Sequence, residues 1–254
     1  LLLRKYKVPY EVIVEIFGKD AMHWERMEEH LGFFSIIGTT VKKEIPKHIA
    51  SDEKISFAVG EEIYIAMTAG NECVLGAEIS ITEDTLGLER AYGVFKEESL
   101  NFDPDYEPIS ANLDGWKATN LAWKNLFPTL QVVLCFLHAY LKIRDLGKSL
   151  KDKFNDVSKR VWELYYQESK ELFMQKAVEL SIWASLNLSD NQKVNAKVQD
   201  LCAKAKLFAV TYDIPIAYRT SNQIDRPMNS LDRYCFQIQY FHGSINSANL
   251  KVRA

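Results

Sequence analysis

The order of strand-like and helix-like patterns constrains the fold of this chain more than any other feature of its sequence. Apolar and polar residues alternate over residues 62–67, and after the turn signal Gly70-Asn71 a second strand-forming stretch covers residues 73–81. A shorter extended stretch at residues 49–51 precedes both and ends at Asp52. These segments predict a three-stranded antiparallel meander.

The chain that follows predicts a helix, a strand, a second helix and a second strand. Residues 85–99 have an apolar face at helical spacing, and residues 109–113 form a short strand that ends at Asp114-Gly115. Residues 116–127 predict a helix, and residues 131–137 are the nearly continuous apolar run of a buried strand. Three strands, helix, strand, helix, strand is the order of the RNase H core. We therefore expect an α/β fold with an RNase H-like mixed five-stranded sheet flanked by helices.

Helical patterns lie on both sides of these segments. Residues 9–31 predict two short helices joined by a tight turn at Gly18, which is typical of a helix-turn-helix; a helical hairpin packed on the next domain is the alternative. The second helix has apolar residues at intervals that suit a buried stripe, namely Met22, Trp24, Met27 and Leu31. Residues 139–207 have helical patterns throughout, and a last helix is expected to begin near Ser221.

Composition and charge exclude several classes of protein. No apolar run is long enough for a transmembrane helix, and the four cysteines suit neither a zinc knuckle nor a disulfide framework, so a reducing cytoplasm is the expected compartment. The net charge of −3 argues mildly against a protein that coats nucleic acid. However, residues 142–160 have seven basic and three acidic side chains, and residues 219–253 have five and two. Such local patches suit either phosphate binding or solvated helix faces.

Three acidic residues occupy positions that suit metal-dependent chemistry. Asp52 ends the first strand, Asp114 ends the fourth, and Asp225 lies in the first turn of the last helix. Because the first and fourth strands of an RNase H sheet are neighbours, their carboxylates would converge, and they would repel one another without cations between them. Hard oxygen ligands select two Mg²⁺ or Mn²⁺ ions, which clamp an in-line displacement at phosphorus. A turn residue or a helix-dipole partner is the alternative for each acid taken alone.

Other catalytic arrangements have less support in the sequence. No Gly-x-Ser-x-Gly elbow, Walker sequence or Gly-x-Gly-x-x-Gly loop is present. Cys135 and His138 lie close together and suggest a thiol–imidazole pair, but Cys135 falls inside an apolar strand, where a buried, inert thiol is the default. A nucleophile of the serine or cysteine type is therefore not expected.

Several motifs resemble the DDE-type transposases of the Mutator-like group. The first motif is Asp114-Gly115-Trp116, followed by Phe127-Pro128 and by Cys135-x-x-His138. The second is Arg219-Thr-Ser-Asn-Gln-Ile-Asp225-Arg226, which is similar to the family segment that carries the third catalytic acid. The resemblance covers about residues 48–242. It implies an RNase H-like catalytic core, two divalent ions, and cleavage and joining of DNA.

The resemblance also implies a domain organisation and a set of DNA contacts. Residues 1–40 would be a helix-turn-helix-like DNA-binding remnant, residues 41–138 and 208–254 the two parts of the catalytic core, and residues 139–207 an all-helical insertion. The catalytic and metal-binding residues would be Asp52, Asp114 and Asp225, and Cys135 and His138 would form a flanking motif. The DNA-binding residues are expected to be Lys142, Arg144, Arg219 and Arg226. Two transposon ends need at least a dimer on DNA, in the cytoplasm or on the nucleoid, with no membrane involved.

This chain departs from the family pattern in ways that leave alternatives open. The third acid is Asp225 rather than the commoner Glu, and Asp232, two helical turns later on the same face, is the fallback. Asp52 and Glu53 are adjacent, and only one of them can serve because neighbouring strand residues point to opposite faces. The ends look clipped, so a non-catalytic DNA-binding remnant is one alternative. An RNase H-like nuclease with another role is a second.

Overall fold

The computed structural model describes residues 2–6, 8–150, 152–238 and 240–254. It is an α/β fold whose five strands form one mixed sheet in the order β3-β2-β1-β4-β5, flanked by helices. The first three strands are antiparallel, and β4 and β5 are parallel to each other. The predicted RNase H-like sheet is therefore confirmed. The strands are β1 (His48–Ala58), β2 (Glu61–Gly70), β3 (Cys73–Ser80), β4 (Ser110–Leu113) and β5 (Gln131–Leu134).

Helices precede, interrupt and follow the sheet. Before it lie α1 (Leu2–Lys5), α2 (Tyr10–Phe17), α3 (Ala21–Leu31) and α4 (Ile36–Thr40). Between its strands lie α5 (Thr85–Phe102) and α6 (Lys117–Leu126). After it come α7 (Phe136–Gly147), a short 3-10 helix (Lys148–Leu150), α8 (Asp152–Tyr165), α9 (Lys170–Asn187), α10 (Gln192–Ala203), α11 (Ala205–Phe208), α12 (Val210–Asp213), α13 (Asn222–Gln237) and α14 (Ile245–Arg253). Among the described residues, none of these helices combines the length and apolarity needed to cross a bilayer.

The meander is built from two tight hairpins. Val59 and Gly60 connect β1 to β2, and Asn71 and Glu72 connect β2 to β3; all four residues have positive φ angles. Two-residue loops with positive φ match the twist of antiparallel strands, which fixes the register. β1 is longer than expected, because it pairs with β2 from residue 50 to residue 58. Asp52 therefore lies inside β1, and the prediction that it ends the strand is wrong.

The chain folds into two compact units. Unit 1 comprises residues 1–108, 116–130 and 222–254. On one face of its meander, α5 and α6 contribute a buried aromatic cluster of Tyr92, Phe95, Trp123 and Phe127. On the other face, α13 and α14 pack against apolar side chains of the meander, namely Ala58, Ile63, Ile65 and Ile79.

Unit 2 comprises residues 109–115 and 131–221 and contains β4, β5 and the helices α7–α12. Its core is one apolar cluster that runs from the end of β5 to α11. The last predicted strand is shorter than expected: β5 ends at Leu134, and Phe136 already belongs to α7. The Cys135 N–H still donates to the Leu113 carbonyl of β4 (2.7 Å), but the Phe136 N–H donates to the Arg219 carbonyl instead (3.1 Å), so the pairing with β4 does not continue beyond Cys135.

The N-terminal helices pack through polar contacts rather than through the predicted apolar stripe. Met22 and Met27 are 56% and 49% exposed, so their predicted burial in α3 is wrong. The buried residue of α3 is Glu28 instead, whose carboxylate accepts hydrogen bonds from Arg4 Nε (3.2 Å), from the Tyr10 hydroxyl and from the Tyr234 hydroxyl (3.3 Å). Helical periodicity predicted an apolar stripe, but it could not show that the buried ion pair of Glu28 and Arg4 would form on the face that Glu28 shares with Trp24 and Leu31.

Candidate functional site

Asp52 and Glu53 point to opposite faces of the meander. The Glu53 carboxylate accepts hydrogen bonds from the Tyr92 hydroxyl (2.8 Å) and the Thr119 hydroxyl (2.5 Å), which places it on the face covered by α5 and α6. Burial, and then the negative charge of Glu53, raise the pKa of Tyr92 well above its usual range, so this phenol stays a donor. The Glu53 carboxylate is therefore held by hydrogen bonds on the α5–α6 face of the meander, and Asp52 is the acid on the opposite face, which α13 covers.

Helix α13 lies on the face of β1 that carries Asp52. Lys54, two residues after Asp52 and on the same face, forms a 3.0 Å ion pair with Asp232 of α13. The N-terminal end of the helix contacts the β2–β3 hairpin, where the Gln223 side chain accepts a hydrogen bond from the Glu72 N–H (2.8 Å). The fallback acid Asp232 is thus an ion-pair partner of β1, and its side chain is half exposed.

Asp225 lies in the first turn of α13 and is half-buried. Further along the same face of β1, Ala58 packs with Cys235 of α13, so the helix and the strand run in the same direction. Seven helical residues span about 10.5 Å and two strand residues about 6.6 Å. Relative to the Lys54–Asp232 pair, Asp225 and Asp52 therefore differ by only about 4 Å along the strand direction. Within unit 1, the first and third predicted acids lie on one face and near one level.

Asp114 follows β4 directly, in unit 2. Gly115 after it has a φ of +90°, a turn conformation that side chains rarely adopt, and an added Cβ would lie 3.4 Å from Leu134. The Asp114 side chain is 23% exposed and lies 3.9 Å from Lys142 Nζ. It borders a cavity of about 40 Å³, whose polar lining residues are Asp114, Lys142, Lys197, Asp200 and Lys204. Asp114 therefore faces charged side chains rather than an apolar interior.

Cys135 lies beside the Asp114 turn because β5 pairs with β4, and His138 follows it in α7. Cys135 is 2% exposed and precedes α7, and its N–H bonds to the residue just before Asp114. His138 lies in the first turn of α7 and is half-buried. Burial fits the default interpretation of Cys135 as a structural thiol, and both side chains belong to the segment that joins β5 to α7.

The four basic residues predicted to bind DNA have different surroundings. Lys142 borders the Asp114 cavity and is 54% exposed. Arg144 pairs with Asp145 on α7 (3.2 Å), and Arg226 is exposed on α13. Arg219 is half-buried and donates from Nη2 to the Tyr165 carbonyl (2.8 Å) and the Tyr212 hydroxyl (3.3 Å). Its guanidinium also lies over both tyrosine rings, at 4.4 and 5.1 Å.

The donor chemistry of the three predicted acids suits Mg²⁺ or Mn²⁺, because all three are carboxylates and none is fully buried. Across the described residues, no three His, Cys, Asp or Glu side chains converge closely enough to hold an ion. The structure therefore supplies the ligand type and the position of each acid in, or directly after, its own element.

Sequence reasoning missed two lysines that line the Asp114 cavity, Lys197 on α10 and Lys204 directly after this helix. Both are exposed, and their spacing of seven residues, about two helical turns, puts them on the same side of the helix. Their spacing is visible in the sequence, yet nothing local connects them with a residue more than eighty positions earlier. Only the packing of α10 against α7 brings them to Asp114.

Comparison with models of known protein families gives no match to this chain, and comparison with curated proteins gives none either. The similarity to transposases therefore rests on the motifs themselves.

Proposed function

We propose that this chain is a metal-dependent transposase of the DDE type, which cleaves DNA and joins its ends to a target. The observation that carries the proposal is the RNase H-like sheet with Asp114 at the carboxyl end of β4, beside a cavity lined by basic side chains. Two further features support it: Asp52 is in β1, the neighbour of β4 in the strand order, and Asp225 is in the first turn of the last long helix.

The residues of the chain have separable roles in this proposal. Asp52, Asp114 and Asp225 would hold Mg²⁺ or Mn²⁺. When bound, the metal activates the attacking oxygen and stabilises the charge that develops at phosphorus. Tyr92 and Thr119 hold Glu53 on the opposite face, which leaves Asp52 as the ligand from β1. Lys142, at 3.9 Å, partly neutralises Asp114 and offers a positive charge to a nearby phosphate.

A non-catalytic DNA-binding protein derived from a transposase is the second candidate. One observation favours it: Lys142 and Arg226 are basic side chains exposed at the surface of their units. On this alternative, basic side chains such as Lys142 and Arg226 would give salt-dependent binding to duplex DNA without cleavage.

Plasmid nicking with added metal separates the two candidates. Purified protein would be incubated with supercoiled plasmid and added Mg²⁺ or Mn²⁺, alongside Asp114→Asn and the control Asp145→Asn. Asp145 is an exposed carboxylate of α7 in the same unit. We expect Asp114→Asn to lower nicking at least about a hundredfold, because one ligand of the catalytic ion is lost. Asp145→Asn should keep the activity.

One outcome decides against the role of Asp114, and another decides against the nuclease. Undiminished nicking by Asp114→Asn would reject the assignment of this residue, and an inactive wild-type protein that still binds duplex DNA would favour the second candidate. The same preparations test the proposed partner and assembly. We propose at least a dimer on DNA, within the cytoplasm or on the nucleoid, so light scattering should show two or more chains per duplex.

A further inference from the structure

We propose that Lys142, Lys197 and Lys204 form a track for successive backbone phosphates of a DNA strand that passes Asp114. We call these three residues the lysine track. The inference rests on the proposed function, since it names how the substrate is held. It concerns unit 2 alone: Lys142 lies on α7, Lys197 lies on α10, and Lys204 follows the last residue of α10.

The position of the cavity in the fold supports a binding role. β4 and β5 are parallel, so their carboxyl ends meet at one edge, and Asp114 and Cys135 follow those ends directly. In α/β sheets, ligands bind preferentially in the crevice outside the carboxyl ends of the strands. Both residues line the cavity together with the lysine track. The track therefore lies where this type of sheet presents its ligands.

The charges of the track are only weakly satisfied within the protein. Lys142 is 3.9 Å from Asp114, which is a long ion pair, and Lys204 pairs with Asp200 on the surface at 2.9 Å. Within the described part of the chain, Lys197 has no acidic side chain at ion-pair distance. Surface pairs of this kind contribute little to the stability of a protein. A phosphate can therefore replace these partners at little cost.

The size and spacing of the site select a chain of phosphates rather than a small ligand. The cavity of about 40 Å³ has room for little more than one water molecule, so a nucleoside cannot enter it. The exposed lysines stand at its rim instead. Lys197 and Lys204 are seven residues apart, which is about 10.5 Å along a helix, so each reaches a different phosphate. An extended DNA strand fits this arrangement.

The salt dependence of duplex binding measures the number of phosphate contacts. The probe is a labelled 30-base-pair duplex (roughly three turns, at about 10 base pairs per turn), and the dissociation constant is measured between 50 and 200 mM salt (about the range where such contacts are lost). Each contact contributes a slope of about −0.9 in the double-logarithmic plot. The double variant Lys197→Gln/Lys204→Gln should make the slope of this plot shallower by about 1.8, because two contacts are lost. Its fold-change in Kd over this range should be about 12 times smaller than that of the wild type.

The control variant is Lys159→Gln, an exposed lysine of α8 in the same unit that does not line the cavity. It loses the same kind of charge and should keep the wild-type slope, because no phosphate contact is expected there. Wild-type slopes in both variants overturn the lysine track while leaving the proposed nuclease intact. A wild-type protein that binds no duplex overturns both proposals. Tighter binding of an RNA duplex of the same sequence overturns the assignment to DNA, and an equal slope loss in all variants overturns the specific role of α10.

Discussion

Arg219 offers a direct test of whether a motif residue binds DNA or holds the fold together. The sequence motif predicts a DNA contact, whereas the structure shows its guanidinium bonded to the Tyr165 carbonyl and the Tyr212 hydroxyl and lying over both rings. These contacts connect the segment after α12 with the end of α8. We therefore expect Arg219→Ala to destabilise unit 2 more than it weakens DNA binding.

The expected loss of stability follows from the contacts that disappear. The 2.8 Å hydrogen bond from a charged donor contributes about 1.5–3 kcal/mol, and the 3.3 Å bond contributes less. Stacking of the guanidinium on a partly buried tyrosine adds about 0.5–2 kcal/mol. Because such contributions are not additive, about 3 kcal/mol is the expected loss for Arg219→Ala. Arg219→Lys keeps the charge but loses the planar fork, so about half of that loss is expected.

Urea unfolding followed by circular dichroism measures this effect as a lower midpoint at unchanged m-value. The control is Arg226→Ala on exposed surface of α13, which should change the stability by no more than about 0.5 kcal/mol. A urea midpoint of Arg219→Ala equal to that of the wild-type protein would refute the structural role of this arginine. The same conclusion would follow if this variant, still fully stable, lost about one phosphate contact from the salt slope of DNA binding.

Two further predictions concern the buried carboxylate of α3. Glu28→Ala should lower the free energy of unfolding by about 3–5 kcal/mol, because the buried guanidinium of Arg4 loses its partner; a urea midpoint close to the wild-type value would contradict this. Glu28→Gln, which keeps the shape of the side chain and an acceptor oxygen, should lose less free energy of unfolding than Glu28→Ala. Burial and the bonds to Glu28 raise the pKa of Tyr10 and of Tyr234, so the folded chain keeps these protons at pH values where the unfolded chain has lost them. The stability should therefore fall as the pH rises above about 10, by up to about 1.4 kcal/mol per pH unit for Tyr234 and by less for the more exposed, solvent-screened Tyr10. Tyr234→Phe should show a shallower fall. Equal slopes in the two proteins would exclude Tyr234 as a cause.

The sequence was sufficient for the elements whose patterns are local. Alternation and turn residues identified the meander, and the helical spacing of residues 85–99 identified α5. The Asp114-Gly115 pair marked the end of β4 correctly, because a turn that needs a positive φ angle leaves a glycine in the sequence. Strand ends that depend on pairing were less accurate. β1 continues past Asp52 because β2 supplies hydrogen bonds to residue 58, which no local signal reports.

The surroundings of the individual side chains were decided by tertiary structure alone. The sequence left open whether Asp52 or Glu53 could serve as a metal ligand. The structure favours Asp52, because Tyr92 of α5 and Thr119 of α6 donate hydrogen bonds to the Glu53 carboxylate. Arg219, for which the sequence predicts a DNA contact, lies against the rings of Tyr165 and Tyr212. In both cases, the chemistry of a residue depends on partners far away in the sequence.

The sequence by itself thus determined the succession of strands and helices along the chain and the turn at Asp114-Gly115, because these depend on the period of apolar residues and on turn geometry over a few neighbours. The neighbours of each strand within the sheet were expected from the order of the RNase H core. The tertiary structure decided which face each acid takes, which cations surround Asp114 and which buried charge connects α3 to α13. Charge burial and ion pairing are set by the distances between side chains that only the folded chain brings together.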